Sequence, residues 1–161
     1  MGTARGKERG FSLTEVLVAM AIMGILFAVF AQMMMVYAKQ QAHIAAKARR
    51  AQAEQDIRRL ANQVMSARLS QGFEAPFPSA GPWPAEVPCR NPVLWSRPAP
   101  GFDELGWAPS TSPTYLQFRV DGWATSFMIS ALGDIDRDGG LELYRYWGDV
   151  GMFEGPLSPG K

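Results

Sequence analysis

Residues 10–31 read GFSLTEVLVAMAIMGILFAVFA. From Phe11 to Ala38 the only charged side chain is Glu15. As a helix at 1.5 Å per residue this stretch is about 42 Å long, more than the roughly 20 residues that span a bilayer. A carboxylate in a membrane helix costs roughly 2.5–3.5 kcal/mol at the bilayer centre and less near an interface. Glu15 has no basic neighbour in the run, so the chemistry turns on what satisfies it. The leader before the run carries Arg5, Lys7 and Arg9 against Glu8. That positive flank orients the helix with its N-terminus in the cytoplasm and the rest of the chain outside.

Three readings compete for this head. An ordinary secretory signal would be cut after Val29-Phe30-Ala31 and release a protein starting at Gln32. Its apolar core is longer than such signals use, and Glu15 sits inside it. An uncleaved anchor explains length and orientation but leaves Glu15 without a role. The third reading is a resemblance. The stretch RG-FSLTEVLVAMAIMGIL resembles the prepilin-type signal of type IV pilins and type II secretion pseudopilins. The residues that carry it are Gly10, Phe11, Ser12-Leu13-Thr14, Glu15 and the apolar run with Gly24.

The resemblance implies cleavage between Gly10 and Phe11 by a prepilin peptidase, and methylation of the new Phe11 amine. It implies retention of the helix and assembly with other pilin or pseudopilin subunits on an inner-membrane platform. Glu15 would then pair with Phe11 N of a neighbouring subunit, and an opposite charge makes a desolvated acid tolerable. The implied location is the inner membrane first, and a periplasmic or extracellular filament after assembly. Minor pilin is preferred: major pilins commonly carry a proline where this chain has Gln32. A type II secretion pseudopilin and a major pilin remain alternatives. From another class, so does a secreted calcium-binding module released by ordinary signal cleavage.

The helical pattern continues past the membrane. No proline or glycine occurs between Ile25 and Gln71. Ala53, Ile57, Leu60, Ala61, Val64 and Ala67 recur at helical spacing and form one apolar stripe. One helix from about Phe11 to Ser70 is expected, apolar all round in its first half and amphipathic in its second, with Gly72 as its stop. The stripe needs a partner, most simply a sheet of the same chain.

Residues 72–113 hold ten prolines and form a connector that excludes a regular central strand. Trp83, Trp95 and Trp107 are expected to pack this connector onto the core. Tyr115–Val120, Trp123–Leu132 and Leu141–Trp147 read as three antiparallel strands, with Asp121-Gly122 as a two-residue hairpin turn. The second strand should present Trp123, Thr125, Phe127, Ile129 and Ala131 on one face. The expected class is α+β, a long N-terminal helix on a small antiparallel sheet, matching the αβ-roll of pilin-like proteins. The domains expected are a removed leader (1–10), a transmembrane and assembly helix (11–38) and a globular domain (39–161).

Between the last two expected strands, Asp134, Asp136 and Asp138 alternate and Gly139 follows. This is the D-x-D-x-D-G opening of a calcium loop. The carbonyl of Gly140 would take the next place, Leu141 would point into the core, and Glu142 would bind directly or through water. The match ends at Arg145, where a full EF-hand has its bidentate Glu, so Asp149, Asp121 or a backbone oxygen would have to complete the set. The bland alternative is a solvated acidic turn. Three carboxylates so close repel without a counter-ion, which favours Ca²⁺. Cys89 is the single cysteine, so no intrachain disulfide forms and a metal clip is the alternative staple.

Of the 16 basic and 15 acidic residues, three and one fall in the leader, which leaves the remainder at −1. This balance does not suggest strong electrostatic affinity for nucleic acid, and none is expected as a partner. Arg49, Arg50, Arg58 and Arg59 are local and interleaved with acids and glutamines. One histidine, His43, excludes a His-rich metal site, and Cys89 has no identifiable base. An assembly subunit is expected, not an enzyme.

Overall fold

A computed structural model of the chain describes residues 12–158. Its order is a helix α1 (Leu13–Gln71) and five strands: β1 (Ala80–Trp83), β2 (Gln117–Gly122), β3 (Phe127–Gly133), β4 (Glu142–Trp147) and β5 (Met152–Leu157). The fold is α+β. The strands form one antiparallel meander in sequence order. The described residues fall into two compact units, one up to Ala42 and one from His43 onward.

In the first unit the helix is apolar on every side, and its large side chains, from Leu13 to Tyr37, are exposed. It is long and apolar enough to cross a membrane.

In the second unit α1 buries Ala53, Ile57, Leu60, Ala61 and Val64 against the sheet. This is the expected stripe, with Ala67 partly buried beside it. The helix ends at Gln71 because Gly72 turns into left-handed backbone, φ +102°. Arg68 closes that end. Its guanidinium donates to the carbonyls of Ala75 (3.2 Å), Phe73 (3.0 Å) and Ala124 (3.1 Å). Across the core, β2 contributes Phe118 and Val120, β3 Phe127, Ile129 and Ala131, and β4 Tyr144. Burial alternates strictly along β3, as expected of a strand with one face on a core.

The connector packs through its aromatics. Trp107 is 2% exposed, and Trp83 and Trp95 pack against the core. Trp95 sits edge-on to Phe102, Trp107 and Phe118 at centroid distances of 5.4, 5.5 and 6.2 Å.

Four expectations are corrected. Asp121-Gly122 is not the hairpin turn. Both residues belong to β2 and pair with Met128 and Phe127. The turn is Trp123–Ser126, closed by Trp123 N–H donating to Ser126 O at 2.8 Å. Gly122 serves a close approach instead: a Cβ there would lie 2.1 Å from the carbonyl oxygen of Phe77. Trp123 and Thr125 therefore leave the buried face, and Trp123 is 48% exposed. The sheet has five strands rather than three. β1 arises inside the proline-rich connector, at an edge and with a register shift, where a missing donor costs no ladder bond. β5 carries Gly155-Pro156 and takes the other edge. Finally, Leu141 is only half-buried; Ile135, inside the acidic loop, fills the core there.

Candidate assembly and metal sites

The acidic loop joins β3 to β4. Asp134, directly after β3, is fully buried, and its N–H donates to Pro88 O at 3.2 Å. Asp134, Asp136 and Asp138 each offer an oxygen, and these lie within 4.8 Å of one another. The loop curls through its own amides. Gly139 N–H donates to Asp134 Oδ2 (3.0 Å), Asp138 N–H to Asp136 Oδ1 (3.3 Å) and Gly140 N–H to Asp138 Oδ1 (2.6 Å). Asp134 Oδ1 has no hydrogen-bond partner among the described residues.

Arg137 adopts left-handed backbone, φ 67°, at the loop's apex. Its guanidinium stacks on the Tyr115 ring and donates to the Tyr115 hydroxyl. Arg49 lies over the same ring, 4.9 Å from its centroid, and donates to Ile135 O at 2.8 Å. The non-glycine turn is thus held from outside the loop.

Glu142 stands apart from the three aspartates. It accepts from the Arg50 guanidinium, with Nε at 3.0 Å, and from the Tyr144 hydroxyl at 2.5 Å. Arg50 Nη2 also reaches Asp136 Oδ2 at 2.9 Å. The hydrogen bond that Arg50 donates to Glu142 strengthens the Arg50 proton affinity against the opposing effect of burial. Burial raises the Asp136 carboxyl above its usual range, and the neighbouring charges of Asp138 and Glu142 add to this, while the Asp138 amide works against it. Tyr144 is raised mainly by burial, then by its bond to Glu142. The two outside candidates are engaged elsewhere: Asp121 is ion-paired with Arg119 at 2.8 Å, and Asp149 accepts from Val150 N–H.

At the start of α1, Ser12 and Glu15 cap the helix reciprocally. Ser12 N–H donates to Glu15 Oε2 at 2.8 Å, and Glu15 N–H donates to Ser12 Oγ at 3.3 Å. This is a capping box, in which two otherwise orphaned amides of the first turn are satisfied. Glu15 therefore has an intrachain partner. Gly10 and Phe11, the expected cleavage and methylation positions, lie outside the described residues.

The family model for the prokaryotic N-terminal methylation motif matches residues 5–31. The match supports a type IV pilin-like prepilin signal. The match covers the whole apolar head up to Ala31 and includes Gly10, Phe11 and Glu15. No curated protein and no solved structure gives a significant match to the chain. The prepilin signal and the long apolar helix together support a membrane-anchored, pilin-like subunit.

Two residues of the acidic site escaped sequence reading. Arg50 and Tyr144 hold Glu142, and the Arg50 contacts span 86 and 92 residues. The signal for Arg50 was a basic residue on the helix near an apolar stripe, but no pattern names a partner at that separation. The capping box has a local signature, Ser12-x-x-Glu15, that the charge of Glu15 masks.

Proposed function

We propose that the chain is a structural subunit of a type IV pilus or related filament, a minor pilin in preference to a pseudopilin or major pilin. In this reading prepilin peptidase cuts between Gly10 and Phe11, and the Phe11 amine is methylated. The helix then anchors the protein in the inner membrane with its N-terminus cytoplasmic. Assembly packs that helix against those of other subunits, and Glu15 sets register against Phe11 N of a neighbour. The protein works by assembly and not by catalysis. The observation that carries this reading is the methylation motif at residues 5–31, which from Leu13 onward coincides with a helix whose large apolar side chains are exposed among the described residues. Mass spectrometry of the mature protein tests it. A methylated N-terminal Phe11 is expected; an N-terminus at Gln32 overturns it in favour of ordinary secretion.

We also propose that Ca²⁺ occupies the acidic loop, held by Asp134, Asp136, Asp138 and the carbonyl of Gly140. The unpartnered oxygen of buried Asp134 supports this, because a buried carboxylate oxygen without a donor is costly. Glu142 enters the ligand set only through water or after leaving Arg50. The full chain in detergent micelles should melt at a higher temperature with excess calcium than with EDTA, and equal midpoints overturn the proposal.

A further inference from the structure

The carboxylates between β3 and β4 face two cation positions, and Asp136 belongs to both. On one side it joins Asp134 and Asp138 in the cluster of oxygens, where buried Asp134 has an oxygen that no donor satisfies. On the other side its Oδ2 lies 2.9 Å from Arg50 Nη2, and the same guanidinium grips Glu142. Arg90 also stands beside the loop, its Nη2 3.2 Å from where a Cβ at Gly139 would sit. Among the described residues Arg90 makes no ion pair, so Arg50 is the cation bound to these acids.

We propose that Arg50 is a built-in competitor for the divalent cation of this loop, opposing metal binding through Asp136 and withholding Glu142. The proposal rests on the calcium reading above. Calcium takes six to eight oxygens, and its affinity follows the number of charged ligands. Arg50 occupies one oxygen of Asp136 and takes both oxygens of Glu142 as acceptors. It also sets a like charge next to the incoming ion. With metal absent, Arg50 keeps part of the loop neutralised and tied to α1. With metal bound, Asp136 turns toward the ion, while Glu142, held by the Tyr144 hydroxyl, keeps the arginine. The loop stays attached to the helix in both states.

Full-length protein in detergent micelles, titrated with calcium chloride by calorimetry, tests this. Arg50→Gln should bind calcium at least about tenfold more tightly than wild type, because a positive charge is gone and Glu142 is free. Arg50→Lys, which keeps the charge, should stay close to wild type. Unchanged or weaker binding in Arg50→Gln, with wild-type binding intact, overturns the competition and leaves the calcium reading standing. Equal tightening in both variants also overturns it. Binding by Arg50→Gln alone supports the competition and overturns calcium as the native ligand. No binding by any form overturns both. A measurement on wild type covers a variant that fails to fold. Calcium should shift the Arg50 side-chain Nε–H signal in a ¹⁵N spectrum, and a signal unmoved at saturation overturns the proposal.

Discussion

Glu15 shows how one residue carries two demands. Within its own chain it caps α1 by accepting from Ser12 N–H. That bond lowers the cost of holding a carboxylate at the edge of an apolar helix, since a carboxylate already bonded to an amide is partly desolvated at no further loss. Ser12→Ala should remove the reciprocal bond to Glu15 N–H and cost about 1 kcal/mol of helix stability in the first turn. Faster amide hydrogen exchange at Leu13–Val16 in micelles is the measurement. Glu15→Ala should leave cleavage of the precursor intact, as read by mass, yet impair incorporation into filaments. Normal incorporation argues against the register role. The acidic triplet was equally readable as residues, because a D-x-D-x-D-G spacing is local. Its arginine and tyrosine were not readable, because each partner comes from another element.

At the scale of elements, the helix and the central strands were legible and the edges were not. The apolar stripe on α1 and the alternation in β3 are periodic, so they survive translation into structure. β1 and β5 hold Pro82 and Pro156, and proline removes the sequence signature of a strand while an edge tolerates it. The hairpin was misplaced because Asp-Gly favours a tight turn by local preference, whereas Gly122 is required by the Phe77 carbonyl that crosses it. Two glycine substitutions separate these causes. Gly122→Ala should destabilise the domain by about 1–3 kcal/mol or more through that clash. Gly24→Ala meets nothing within 4 Å and should leave stability unchanged or gain about 0.5–1 kcal/mol from helix propensity. Thermal melts of both variants decide. Ile57→Ala, at a fully buried position under the sheet, should cost about 2–5 kcal/mol in the same assay.

At the scale of the whole molecule, two solvents are written into one chain. The N-terminal unit exposes large apolar side chains, and the second unit closes its own core. That core holds without a disulfide, so its pH response reflects its buried polar groups. Tyr144 is held protonated in the folded state by burial and by Glu142, above the ordinary value of about 10. The unfolded chain therefore releases the Tyr144 proton first. The resulting stability is fully present below about pH 10 and is lost as pH rises through the raised folded value. Tyr144→Phe should flatten the decline in melting temperature above pH 10, and an identical decline in the two proteins rules out this origin.

The guanidinium of Arg68 has a mechanical consequence. It ties the end of α1 to the carbonyls of Phe73 and Ala75, just past Gly72, and to the Trp123–Ser126 turn through Ala124. A pull along α1 passes to the sheet through the Arg68 bond to Ala124, while the bonds to Phe73 and Ala75 brace the chain where it leaves the helix. The sheet then receives tension at its β2–β3 corner, next to the core strand whose face is most completely buried.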